Sequence, residues 1–269
     1  MLWAAILGSV VFWTSCSVVK EERQECPCIL SVELKALPAY PVALLVNGRA
    51  AGEARRDTTL QIWVEKGGLA TLTAVSGASP AEDFAVRIPY GEQAPPLYAY
   101  RARADCTGDQ VRASVQMSKH FCTLTLRFKG IPEGNRPEGA STPFLATSGL
   151  FPSGSFPSGY SISAMVRGGV NGFSLDDGRP LEGAFSCRMD GSLSCRIPRQ
   201  RPGDVLWLDL ALQEDVVCSF PLGTYLEKAG YDWTAPDLAD ASLEADLAVH
   251  SIRFLTADGS GVEELQIVI

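Results

Sequence analysis

Eight cysteines and only two histidines, His120 and His250, set the first limits on the chemistry open to this 269-residue chain. Two histidines leave little room for a multi-histidine metal site or a histidine-driven catalytic centre. Eight cysteines permit a disulfide framework, thiolate metal sites or ordinary packing, and the compartment decides among them. The spacings that carry enzyme chemistry are missing: there is no Gly-x-Ser-x-Gly elbow, no Walker loop, no His-Glu-x-x-His and no Cys-x-x-Cys. Two carboxylate pairs remain. Asp176 and Asp177 before Gly178, and Asp237 with Asp240, have the composition of a Ca²⁺ site or a glycosidase acid pair. Both sit in turn contexts, where Asp commonly bonds its own backbone, and they read as turns. The expectation is a protein that is not an enzyme, with no catalytic residue, no metal ligand and no cofactor.

The chain carries 31 acidic and 23 basic side chains, a formal net charge of −8, which repels phosphate backbones and argues against a nucleic-acid partner. Its length and a hydrophobic fraction of 46% suffice for one large or two ordinary domains with proper cores.

Residues 1–15 contain no charged side chain and are followed by Cys16. So short a run cannot cross about 30 Å of hydrocarbon as a helix rising about 1.5 Å per residue. It ends in the small residues Thr14 and Ser15 and reads as a secretory signal closing on a lipobox. Residues 1–15 are therefore expected to be removed and the thiol of Cys16 acylated, with 16–25 as a charged tether. Two or three acyl chains hold a protein stably on a membrane, because each buried methylene contributes about 0.8 kcal/mol.

The elements that must position everything else are strands. Apolar or alternating runs rich in β-branched residues occur at 29–34, 59–64, 71–75, 111–117, 122–128, 162–166, 205–212, 243–249, 252–255 and 265–269, separated by Gly, Pro, Asn and Asp. Short strands at this spacing predict β-sandwiches, not alternating α/β units. One segment departs from the pattern. Leu222, Tyr225, Leu226 and Ala229 share a helical face, and Gly230 stands where a helix ends in the left-handed conformation, which predicts a two-turn helix packed on a sheet. A domain break falls near residue 118, giving sandwiches over 26–118 and 119–269. The Gly- and Pro-rich stretch 130–159 contains a local duplication, Phe-Pro-Ser-Gly at Phe151 and again at Phe156, and reads as a loop.

With Cys16 acylated, seven cysteines remain: Cys26, Cys28, Cys106, Cys122, Cys187, Cys195 and Cys218. Cys26-Pro27-Cys28 is too tight and rigid to favour a bridge within itself, so one or both can reach other strands. Cys187 and Cys195 flank the turn sequence Met189-Asp190-Gly191-Ser192 and could face each other across a hairpin as a disulfide. Alternatively these thiols are small buried hydrophobes.

Three pieces of sequence carry a family resemblance: Arg23-Gln24-Glu25-Cys26-Pro27-Cys28, Arg196-Ile197-Pro198-Arg199-Gln200, and the block from Phe220 through Gly230-Tyr231-Asp232-Trp233-Thr234-Ala235 to Leu238. In their order and spacing they resemble the FimB-type fimbrial anchor lipoproteins of Bacteroidota, over nearly the whole chain from Cys16 onward. Lys20-Glu21-Glu22 is similar to the signal that sends such lipoproteins to the outer face of the outer membrane. The resemblance implies an all-β fold of two transthyretin-like sandwiches in tandem, with one short helix in the second. It implies a surface-exposed outer-membrane lipoprotein, part of a fimbrium, whose partners are the membrane and pilin subunits. Such a protein would anchor fibres through the basal pilin and limit their length.

Pilins of this kind join by adding an extended strand to an open sheet edge. The last predicted strand puts Leu265, Ile267 and Ile269 on one face, a candidate contact for the basal pilin; completing its own sandwich is the alternative. A fimbrial tip or accessory subunit and a surface glycan-binding lipoprotein are the other function classes. The latter needs an exposed aromatic platform, which sequence cannot pick out from Trp63, Trp207 and Trp233.

Overall fold

The computed structural model describes residues 26–79, 84–128, 162–189, 193–212, 215–246, 251–255 and 264–266. Its first strands are β1 (Cys28–Leu34), β2 (Val42–Val46), β3 (Arg49–Ala54), β4 (Thr58–Val64), β5 (Leu69–Ser76), β6 (Ala85–Arg87), β7 (Tyr98–Asp105), β8 (Gln110–Ser114) and β9 (Ser118–Lys119). Alternation decides which face goes inward: Cys28, Leu30, Val32 and Leu34 of β1 are all fully buried. They meet Leu44, Leu72 and Ala74 from the facing sheet in one core. The two sheets run in the orders β4-β1-β8 and β3-β2-β5-β7-β9. β1 is antiparallel to β4 and parallel to β8.

The later elements are β10 (Phe121–Phe128), β11 (Ile162–Ser174), β12 (Pro180–Arg188), β13 (Ser194–Pro198), β14 (Leu206–Leu212), β15 (Asp215–Phe220), α1 (Leu222–Lys228), β16 (Ala241–Asp246), β17 (Ser251–Leu255) and β18 (Glu264–Gln266). They form a second sandwich from sheets ordered β13-β10-β16-β17-β18 and β12-β11-β14-β15. Leu124, Val166, Phe185, Ile197, Leu208 and Leu243 fill its core. The expected helix is α1, with Leu222, Tyr225 and Leu226 buried. Gly230 ends it at φ 86°, where Gly230 N–H bonds Glu227 O at 3.0 Å and Tyr231 N–H bonds Leu226 O at 2.8 Å. This is the Schellman arrangement that satisfies the last carbonyls of a helix. The protein is thus all-β, two sandwiches in tandem with one short helix in the second.

The segment between β5 and β7 departs from a simple division of the chain at 118. β6 pairs antiparallel with β11, so a strand from early in the sequence is built into the second sandwich. Gly172 makes this possible, since a Cβ there would lie 2.4 Å from the Val86 carbonyl oxygen. The following segment, 88–97, then laces both edges on that side. Gly91 N–H bonds Ser186 O of β12 at 2.9 Å, and Ala94 N–H bonds Arg196 O of β13 at 2.9 Å. Leu45, Val75, Val86, Leu97, Ala99, Phe173 and Leu175 make a third apolar cluster that joins the sandwiches.

The first sandwich is threaded from end to end. Cys28 lies opposite Val64, and Ile29 opposite both Trp63 and Gln110, at the end where the chain enters β1. Glu33 with Ser114, and Tyr98 with Lys119, lie at the opposite end, from which β9 leads into β10.

Candidate functional site

The two later family-resembling pieces meet at one side chain. Arg199 follows β13 and is buried under the loop that contains Tyr231, Asp232, Trp233 and Thr234. Its Nη1 donates to the carbonyls of Trp233 and Ala235, each at 2.7 Å. Its Nη2 donates to Pro236 O at 2.9 Å and Lys119 O at 3.2 Å. The Nε donates to His120 Nδ1 at 3.1 Å. All five donors of the guanidinium are spent on carbonyls and one imidazole, a fork geometry no other side chain offers. Around it Trp233 is 2% exposed and packs edge-on against Tyr231, with ring centroids 4.6 Å apart. Tyr231 donates its hydroxyl to Ala239 O at 2.6 Å, and burial pushes its phenol well above the ordinary range.

His120 is held neutral. Burial first, and the Arg199 cation second, lower its pKa from 6.5 to about 4, against a smaller opposing pull from Asp237. A group whose folded pKa is depressed contributes stability that is complete above its unfolded pKa. That contribution is lost as pH falls toward the folded value. We expect the wild-type protein to lose about 2–3 kcal/mol between pH 7 and pH 4 through this one residue. His120→Gln, which keeps an acceptor for Arg199, should flatten the difference in urea denaturation across that window. Equal pH slopes for the two proteins would refute the assignment.

Three of the four turn carboxylates, those of Asp177, Asp237 and Asp240, hold structural bonds. Asp177 accepts from Arg179 N–H at 3.1 Å, and the Arg179 side chain holds it down to about pKa 2. Asp237 accepts from Lys119 N–H at 2.8 Å, and Asp240 from Thr123 N–H at 2.7 Å. Among the described residues no group of three or more His, Cys, Asp or Glu is arranged to hold a metal ion. Beside Arg199 a cleft of about 490 Å³ opens between the sandwiches, lined by Tyr100, Arg101, His120, Phe173, Asp177 and Arg201. Within that lining, Asp177 is paired with Arg179 and His120 accepts from Arg199.

Cys187 and Cys195 do not face each other across a hairpin. Cys187 lies opposite Val166 of β11 and Cys195 opposite Leu124 of β10, in the two different sheets of the second sandwich. Both are buried in the shared core, so a bond between them would span the sandwich. Cys26 is exposed, whereas Cys28 is buried with its thiol against that of Cys106, whose pKa burial raises to about 11. Burial likewise lifts Cys122 to about 11.

Leu265 belongs to β18, the outer strand of its sheet, opposite Ile252 of β17. Cys16, Ile267, Ile269, His250, Phe151 and Phe156 lie outside the described residues. Because 88–97 covers the β12 and β13 side, the uncovered edges of the second sandwich are those of β15 and β18 among the described strands. The aromatic surface that sequence could not choose is Trp63, 68% exposed, while Trp207 is half-buried with the Arg167 guanidinium 5.4 Å from its ring.

No protein-family model matches the sequence, and no curated protein is significantly similar to it. Solved structures do match. The fimbrial anchor protein Mfa2 from Porphyromonas gingivalis is similar at TM-score 0.51 and 12% identity, covering 89% of this chain and 100% of that one. A candidate polysaccharide-binding protein from Bacteroides thetaiotaomicron matches at TM-score 0.54 and 12% identity, covering 87% of this chain and 100% of that one. A candidate adhesin from Bacteroides ovatus matches at TM-score 0.52 and 13% identity, covering 89% of this chain and 96% of that one. At such identities the likeness is one of fold, and it extends over both sandwiches.

Proposed function

We propose that this protein anchors fimbriae: an acyl-modified Cys16 holds it in the outer membrane, and its second sandwich binds the basal pilin. By ending the fibre at the membrane it also limits fibre length. The observation that carries this reading is the end-to-end path of the chain. The tether enters one end of the first sandwich at Cys28, and the second sandwich continues from the other end beyond Lys119. With the membrane at the Cys28 end and the pilin beyond Lys119, tension would run along β1 and β8, which pair in parallel. The fold likeness to a fimbrial anchor supports the same reading. The pilin contact falls on the β18 edge, to which Leu265 belongs and which Ile267 and Ile269 follow in sequence; there a strand can be added through main-chain hydrogen bonds.

Cys16→Ala tests the proposal. Without a thiol to acylate, the protein loses its membrane hold, and fimbriae are expected in the medium instead of on the cells. Fibres that stay firmly attached to cells carrying the variant would overturn the anchor reading.

A further inference from the structure

Among the described residues, four large hydrophobic side chains stand mostly in water: Trp63, Leu69, Tyr90 and Val205. Two of them stand toward the same end of the first sandwich. Trp63 lies opposite Ile29 at the start of β1, and Leu69 opens β5 opposite Asp105. The segment joining β4 to β5 and the segment joining β7 to β8 are laced into a single rim. Gly67 N–H bonds Cys106 O at 3.2 Å, Cys106 N–H bonds Gly68 O at 2.9 Å, and Ile29 N–H bonds Asp109 O at 3.0 Å. Val64 and Ala70, their neighbours, point into the core. Trp63 and Leu69 therefore project outward from opposite sheets, one on each side of the point where the chain enters.

We propose that Trp63 and Leu69 are two apolar feet that rest in the surface of a lipid bilayer, an inference that depends on Cys16 being the acylated anchor. Cys16 and Cys28 are 12 positions apart. Whatever its conformation, a chain of that length reaches at most about 40 Å, which limits how far the rim can stand from the bilayer. Tryptophan suits that boundary, because its ring is apolar and its indole N–H finds a partner at the headgroups. The rim's charges exclude the usual alternative of electrostatic attachment. Glu65, Asp105 and Asp109 outnumber Lys66, which is itself paired with Asp109. Contact is thus apolar, needs no anionic lipid and withstands salt. Its consequence is orientation: two feet astride the tether hold the sandwich upright, with the second sandwich and its open edges facing away from the membrane.

The processed chain retains Trp63, Trp207 and Trp233. The test uses the acylated protein in vesicles of phosphatidylcholine and phosphatidylethanolamine whose acyl chains carry bromine near the headgroup. Flotation with the vesicles reports the acyl anchor, and quenching of tryptophan emission reports contact by Trp63. The expected result is flotation with a blue shift and quenching. Trp63→Phe should float equally and keep its thermal midpoint, yet lose both the shift and the quenching; Leu69→Gln should weaken them. Flotation without quenching, or quenching that persists in Trp63→Phe, overturns the proposal and leaves the anchor reading standing. A protein that does not float overturns both.

Discussion

Arg199→Met is expected to destabilise the protein by about 3–5 kcal/mol, because it leaves buried carbonyls without donors. Methionine nearly matches the arginine stem in length and fills the space, so the loss isolates the guanidinium. Four carbonyl oxygens, those of Lys119, Trp233, Ala235 and Pro236, and the Nδ1 of His120 lose their partner together. An orphaned buried acceptor costs about 1–3 kcal/mol each, and partial relaxation toward the adjoining cleft keeps the total below the simple sum. Arg199→Lys should recover only part of the loss, since an ammonium is a point donor and cannot reach five acceptors in a plane. Urea denaturation followed by tryptophan fluorescence measures both. A methionine variant within about 1 kcal/mol of wild type would mean that water replaces the guanidinium.

Trp233→Ala is the second large effect, again about 3–5 kcal/mol, by a different mechanism. The ring is 2% exposed and is among the largest fully packed side chains of the second core. Removing it leaves a cavity that Tyr231 cannot fill, because the Tyr231 hydroxyl is fixed on Ala239 O at 2.6 Å. The two substitutions should not add. Trp233 supplies both the buried ring and a carbonyl that binds Arg199, so either change loosens the same loop and the double variant costs less than the sum. Strict additivity in the double-mutant cycle would show that ring and guanidinium act separately.

This pair also explains why so much of the fold was legible and the central contact was not. The runs at 29–34, 59–64 and 122–128 are rich in apolar and β-branched residues, and each forms a strand. The helix at 222–229 was legible because its period and its terminal Gly230 agree. β7, Tyr-Ala-Tyr-Arg-Ala-Arg-Ala-Asp, alternates alanine with long polar side chains, so its apolar contrast is weak. β3 and β12 each contain Gly and Glu and look like loops until the neighbouring strands are present. Residues 85–88 are too short to carry a period, yet they complete the sheet of a sandwich that lies mostly later in the chain.

The hairpin expected between Cys187 and Cys195 failed for a related reason. Turn residues predict that the chain reverses, but they do not say whether it returns in the same sheet or crosses to the facing one. Here it crosses, since β12 and β13 belong to opposite sheets. Arg199 was readable only as one member of a motif, because a lone arginine in sequence is ordinarily solvated. Its five acceptors come from residues 119, 120, 233, 235 and 236, up to 80 positions away.

By itself, the sequence determined what depends on residue type and near neighbours. That comprises strands and helix, the net acidic charge and the missing catalytic spacings. Local periodicity and local chemistry require no knowledge of which element lies beside which. Tertiary structure alone decided what depends on that adjacency. It placed the guanidinium of Arg199 under the Trp233 loop, laid 88–97 along β12 and β13 so that β15 and β18 are the outer strands among those described, and put Trp63 opposite Ile29 at the start of β1. These are contacts between residues distant in sequence, whose energies exist only after the chain has closed on itself.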